Sequence, residues 1–174
     1  MIDIEKCRIT HYPVDVLTGK AAPVEKIDDD IRRLAGKMID IMLERKGIGL
    51  AAPQAGVPLR LFIISLDQTR ENANVYINPT VTTSGKLIAF EEGCLSVPDV
   101  HSKIRRYEKA AVTATDLDGK EFTEQAEGLY ARALQHEYDH IEGITIVDRM
   151  GSAARIANRK QLKKLAQEQK ARSV

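Results

Sequence analysis

Gln135-His136-Glu137-Tyr138-Asp139-His140 is the stretch from which the rest of the chain is read. His136 and His140 stand four residues apart, which on an α-helix puts both imidazoles on one face, one turn apart. Two neutral imidazoles so placed can grip one metal ion, and Glu137 stands beside them as a candidate general base. The run from Leu129 to Ile141 reads as the helix that carries them, stopped by Gly143, with Ala131 and Ala133 permitting close packing. A metal used for catalysis typically takes three protein ligands and keeps one position open for water. The third ligand must come from elsewhere, and the chain has only two cysteines. Cys94 lies in Glu91-Glu92-Gly93-Cys94-Leu95-Ser96, where a glycine allows tight backbone geometry and the acidic residues do not suit a core strand. Cys7 lacks such surroundings and reads as structural. Cys94 is therefore the expected third ligand.

Upstream of this stretch, residues 1–26 are interrupted by Pro13, Gly19 and Pro23 and read as an arm lying on the domain. Asp28 is a good N-cap, and Asp29 and Asp30 suit a helix's first turn. Apolar residues then recur at Ile31, Leu34, Ala35, Met38, Ile41 and Met42, the spacing of a core-facing stripe, with Gly47 as the expected stop. In Gly47-Ile48-Gly49-Leu50-Ala51-Ala52-Pro53-Gln54 the small residues let another backbone or a ligand approach closely, and Gln54 brings an amide that can donate to an oxygen. Leu59 to Leu66 reads as a buried strand, and Val75 to Ile77 as a shorter one stopped by Asn78-Pro79. Lys86 to Phe90 leads into the Cys94 segment, and Pro98 is expected to end that extended piece. Ala111 to Thr115 and Glu121 to Gln125 flank Asp118-Gly119, a hairpin signal. A last helix is expected from about Ser152 to Ala171. The class is α+β: mixed or antiparallel strands around a central metal-binding helix, with an N-terminal and a C-terminal helix.

With 174 residues, the expectation is one domain spanning 1–174. A hydrophobic fraction of 43% and a charged fraction of 29% are those of a soluble globular protein. Two cysteines cannot build a disulfide framework, and no signal peptide or apolar run of spanning length is visible, so the expected setting is the cytoplasm, with no membrane partner. The net charge of +1 is unevenly spread: residues 152–174 hold seven cations against Glu168 alone, a net +6 that leaves −5 on residues 1–151. This basic C-terminal helix could dock on an anionic ribonucleoprotein surface or be a merely solvated face.

Three segments, Gly47–Gln54, Glu92-Gly93-Cys94-Leu95-Ser96 and Gln135–His140, together resemble the peptide deformylases closely. They stand in that family's order and at about its spacing, and the resemblance covers nearly the whole chain. It implies a metal hydrolase that removes the formyl group from the initiator N-formylmethionine of newly made polypeptides and releases formate. The implied metal is one divalent ion, usually Fe2+, with Zn2+, Ni2+ or Co2+ able to substitute. On matching positions Cys94, His136 and His140 would be its ligands, and Glu137 general base and acid for a metal-bound water attacking the formyl carbonyl. Gln54 and the Leu95 N–H would stabilise the oxyanion, and Gly49 would hold the substrate backbone. Ile48, Leu95 and Ala133, beside matched residues, would wall the methionine pocket. In some relatives the C-terminal helix docks on the ribosome, with which the +6 segment is compatible. His101 stands where many relatives place an arginine or an aromatic residue.

Two other readings stay open on the residues alone. A metallopeptidase can use the same two-histidine helix, although such enzymes usually recruit His or Glu as third ligand. A non-catalytic module with a structural metal and a ribosome-binding helix would need a fourth protein ligand, and none stands nearby in sequence. His11 and His101 read as ordinary polar residues, His101 close enough after the Cys94 segment to stand at a cleft rim, and Arg132 as either a cleft-lining residue or the partner of a carboxylate. Arg132, four residues before His136, is expected to pair with a carboxylate.

Overall fold

The computed structural model describes residues 2–172; Ser173 and Val174, the end of the basic segment, lie outside the described residues. In chain order the elements are α1 (Asp15–Thr18), α2 (Asp29–Glu44), β1 (Gly49–Ala51), β2 (Leu61–Ile64), β3 (Asn74–Cys94), β4 (Val97–Thr115), β5 (Glu121–Glu127), α3 (Gly128–Ile141), α4 (Ile146–Arg149), α5 (Ser152–Ala157) and α6 (Arg159–Arg172). The strands form one five-stranded antiparallel sheet in sequential order, β1 to β5. Of the expected mixed or antiparallel strands, the sheet is antiparallel throughout. Parallel pairing among the described residues is limited to the isolated bridge Ala22–Leu59.

The alternating side-chain directions of a strand divide β2 between two cores. Leu61 and Ile63 join Leu50 and Ile77 beneath α2, where Ile31, Leu34, Met38, Ile41 and Met42 supply the expected stripe. Phe62 and Ile64 face the other way and pack with Tyr76 and Val112 beneath Ala131, Leu134 and Ile141 of α3. This explains why β2 is apolar at every position rather than at alternate ones. A third cluster joins Val97, Val100 and Ile104 of β4 to Ile146, Val147, Met150 and Leu165. Among the described residues no helix is long and apolar enough to cross a membrane.

The Asp28 cap forms, accepting from Ile31 N–H at 3.2 Å. The helix stop differs from expectation. Lys46, not Gly47, takes the left-handed conformation (φ 53°), while the N–H groups of Lys46 and Gly47 close the last turn on Leu43 and Met42. Gly47 is small for another reason: a Cβ there would meet Leu95 Cδ1 at 2.9 Å.

Two prolines expected to end strands do not. β3 runs through Asn78-Pro79 because the register slips between Ile77 and Thr80, so the missing proline N–H falls in a bulge. Asn78 (φ 49°) secures the bulge by exchanging two 2.8 Å side-chain bonds with the Val24 backbone. Pro98 is the second residue of β4, where the ladder also slips. The long β3–β4 ribbon turns through Leu95-Ser96 and so puts Cys94 at the last position of β3. The Asp118-Gly119 hairpin forms as expected, pairing Thr115 with Glu121. The last helix is divided at Asn158 into α5 and α6.

Gly143 ends α3 with φ 77°, and a Cβ there would stand 2.7 Å from the Thr18 carbonyl oxygen. Gly36 lies inside α2 with nothing within 4 Å of an added Cβ. Gly36→Ala is therefore expected to stabilise the protein by about 0.5–1 kcal/mol, and Gly143→Ala to destabilise it by more than about 1 kcal/mol. Opposite shifts of the urea unfolding midpoint check this pair.

Candidate metal centre

The β3–β4 turn and α3 meet at one point. His136 and His140 present their Nε2 atoms 3.3 Å apart, and Cys94 Sγ lies 3.3 Å from His140 Nε2. All three atoms fall within 4.8 Å of one another, a donor set able to hold a metal ion. Tetrahedral bonds of roughly 2.0–2.1 Å from two imidazoles require nitrogens about 3.3–3.4 Å apart. The spacing and the donor chemistry, one thiol and two imidazoles, therefore fit a divalent transition metal. A cleft of about 410 Å³ opens over this cluster, its lining including Ile48, Gly49, Gln54, Leu95, Ala133 and Glu137. The residues singled out from the sequence are thus brought together in one place, while Cys7 is buried in the α2 core, away from it.

Each group is oriented by its neighbours. The His136 ring turns its Nδ1 to Glu92 Oε2 at 3.2 Å, which leaves Nε2 toward Cys94 and His140. Gln54 is pinned at its oxygen, which accepts the Ala51 N–H at 2.8 Å, and its Nε2 donates to Cys94 Sγ at 3.4 Å. Glu137 is 4% exposed, and its Oε2 has no hydrogen-bond partner. Gly49 makes room for this carboxylate: a Cβ there would lie 2.8 Å from Glu137 Cδ. His101 lies at the mouth of the cleft, its Nε2 3.0 Å from where a Gly93 Cβ would be.

A buried ion cluster that the sequence reading missed lies behind the cluster. Arg106 is 4% exposed and donates to both carboxylate oxygens of Glu92, at 2.8 and 3.0 Å, and to Asp139 Oδ2 at 2.8 Å. Arg132 adds a bond to Glu92 Oε1 at 2.6 Å, the carboxylate pairing expected of it. Arg149 Nε reaches Asp139 Oδ2 at 3.0 Å. The alternation of β4 carried a signal for Arg106: it lies in phase with the inward-facing Ile104, whereas Arg105 points outward. Glu92 was visible only as an acid in the Cys94 segment.

The electrostatics follow from this packing. Burial opposes ionisation of Glu92, but hydrogen bonds from His136 and Arg106 outweigh it and hold the carboxyl down to about 2. Burial pushes Glu137 up to about 7, against the attraction of His136 and Arg106. Burial also disfavours charge on His136, yet the Cys94 and Glu92 acceptors raise it to about 10. His140 falls well below its ordinary value, through burial and then the cationic His136 and Arg106.

A family model described as polypeptide deformylase matches residues 6–155 of the chain. The peptide deformylase of Thermodesulfovibrio yellowstonii is 42% identical over 157 residues, covering 89% of this chain and 95% of the relative. That of Brucella suis is 39% identical over 165 residues, covering 93% and 94%. Among solved structures, the Legionella pneumophila peptide deformylase aligns with a TM-score of 0.87 at 40% identity, over 94% of this chain and 96% of that one. The Plasmodium falciparum enzyme aligns with a TM-score of 0.91 at 32% identity, over 94% and 98%.

A metal can bind His136 only as the neutral ring, so it must displace the proton that Glu92 and Cys94 favour. Titrating cobalt into metal-free protein at neutral pH is expected to release protons. The affinity should weaken by roughly tenfold per pH unit for each proton displaced as pH falls below the His136 value. Calorimetry in buffers of different ionisation enthalpy reads the proton release, and a thiolate-to-cobalt absorption band, lost in Cys94→Ser, reads the sulfur ligand.

Proposed function

The chain belongs to the polypeptide deformylase family, and we propose that it hydrolyses the formamide of N-formylmethionine at the start of newly made polypeptides, releasing formate. The observation that carries this reading is the convergence of Cys94, His136 and His140 beside a buried, unpartnered Glu137 carboxylate and the Gln54 amide, in one cleft. Cys94, His136 and His140 would hold one divalent metal. We assign Fe2+ to it on the family resemblance, with Zn2+, Ni2+ or Co2+ as substitutes that the same donors accept. When bound, the metal supplies Lewis-acid polarisation and lowers the pKa of water.

The residues of the chain do the rest. Glu137 takes a proton from the attacking water and delivers it to the leaving amine. Its Oε2 has no other hydrogen-bond partner and is therefore available for that proton. Negative charge develops on the formyl oxygen, and Gln54 Nε2 and the Leu95 N–H donate to it. Gln54 is suited to this because its own oxygen is already tied to Ala51 N–H, which fixes the amide plane. β1 is an edge strand, so Gly49 can receive an extended substrate by main-chain pairing. Ile48, Leu95 and Ala133 line the cleft where the unbranched methionine side chain would lie, and the cleft adds Leu129 and Val97 to that apolar wall.

We extend the proposal to a single catalytic domain over 1–174 acting in the cytoplasm. Leu165 of α6 packs in one core with Val97 and Ile146, which supports counting the last helix as part of that domain. Arg159, Lys160, Lys163 and Lys164 of α6 are exposed, which suits docking on the anionic ribosome.

The test is formate release from a formyl-methionyl peptide by protein purified without oxygen and loaded with ferrous iron or nickel, with an acetyl-methionyl peptide as control. Release from the formyl peptide alone is expected, and a fully metallated protein that releases none would overturn the proposal. Glu137→Ala should keep the metal and lose the activity. Gln54→Ala should lower kcat by about 10²–10³, the weight of one oxyanion donor.

A further inference from the structure

Between Cys94 and His101 the β3–β4 ladder slips by three residues: Cys94 pairs with Val97, but Gly93 pairs with His101. Residues 98–100 therefore loop out of the sheet, and Asp99 takes a left-handed backbone conformation (φ 62°) that few side chains adopt. This bulge stands at the mouth of the cleft, which Val97, Asp99, Val100 and His101 line.

Two amide side chains of the C-terminal helices hold it from outside. Gln161 Nε2 donates to the Pro98 carbonyl at 3.1 Å and lies 3.4 Å from Asp99 Oδ2. Asn158 Nδ2, at the break between α5 and α6, donates to the His101 carbonyl at 3.3 Å and to the Ala154 carbonyl at 3.0 Å. Leu165, one turn beyond Gln161, is buried against Val97, Val100 and Ile104 and so keeps the helix in register with the bulge. Gln161 and Asn158 both lie beyond residue 155, where the family match ends.

We propose that Gln161, assisted by Asn158, is a positioning residue that holds the 98–101 rim in place for the part of the substrate beyond its first residue. The inference rests on the deformylase reading of the site. The first residue is held deep in the cleft by β1 and α3, which neither amide touches. The chain that follows must leave past Asp99 and His101, on a rim that the two amides hold by the Pro98 and His101 carbonyls and the Asp99 side chain. Releasing the bulge therefore weakens binding of longer substrates and leaves the chemistry alone.

The experiment compares formyl-methioninamide with a formyl-methionyl tetrapeptide. Gln161→Glu keeps the shape and removes the donor. It is expected to raise KM for the tetrapeptide by about two- to tenfold, the weight of one hydrogen bond, with kcat and the KM of the short substrate unchanged. Gln161→Lys, which restores a donor, is expected to recover the KM. The backbone amides of Asp99, Val100 and His101 should exchange hydrogen faster in Gln161→Glu than in the wild type, a readout independent of activity. Unchanged exchange, an unchanged tetrapeptide KM, or a KM raised equally for both substrates would overturn the positioning role. If the wild-type protein releases no formate from either substrate, the deformylase reading falls, and exchange alone still judges whether Gln161 pins the bulge.

Discussion

The guanidinium of Arg106 is the hinge on which the site depends. It is buried and bridges Glu92 near the end of β3 to Asp139 on α3, so one side chain joins the sheet to the helix that together supply the donors of the candidate metal centre. Burying three charges is costly unless each is fully paired, and here the pairing extends to Arg132 and Arg149. Removing one partner from such a cluster typically costs about 3–5 kcal/mol, because the remaining charges stay buried and uncompensated. The geometry this enforces is local and useful. Glu92 faces the His136 Nδ1, and the opposite nitrogen is left for a metal.

Close approach is the second constraint. Cys94 comes from the tip of a long ribbon and the histidines from a helix, and the catalytic geometry proposed for them tolerates little looseness. Small residues make the approach feasible where the elements meet. Gly49 leaves room for Glu137, Gly47 leaves room for Leu95, and Gly93 lies under the His101 ring. The same tightness buries Glu137 and raises its pKa, so the packing and the acid–base role proposed for Glu137 follow from one arrangement. Any side chain added at Gly49 would push directly on the proposed base.

The sheet is held from both sides, and the two helices that cover it have different duties. α2 shields one face with an uninterrupted apolar stripe and brings no residue to the cleft lining. α3 covers the other face with Ala131, Leu134 and Ile141 while turning His136 and Glu137 into the cleft. α6 closes a third cluster against the start of β4, immediately after the Cys94 turn. The cleft is therefore lined by the sheet, the β3–β4 turn and the central helix, while the C-terminal helix packs behind its rim.

What the sequence by itself determined were the features written in short-range spacing. The four-residue interval of His136 and His140, the apolar stripe from Ile31 to Met42, the Asp28 cap, the Asp118-Gly119 hairpin and the Gly143 stop each depend on neighbours within a turn or two. Each appears where expected. Cys94 and Gln54 were legible as unusual residues in their segments, and the structure brings both to the histidines. Only the tertiary structure decided the features that depend on partners far along the chain. Pro79 and Pro98 looked like strand ends, because a proline lacks an N–H. Bulges opposite other strands absorb both. Glu92 and Arg106 are ordinary charged residues until β3 and β4 pair and α3 closes over them, when 14 residues of separation become a 2.8 Å ion pair. The alternation of β4 marked Arg106 as inward-facing, but burial and long-range pairing are properties of the assembled fold, so no local pattern named Glu92 and Asp139 as its partners behind the histidines.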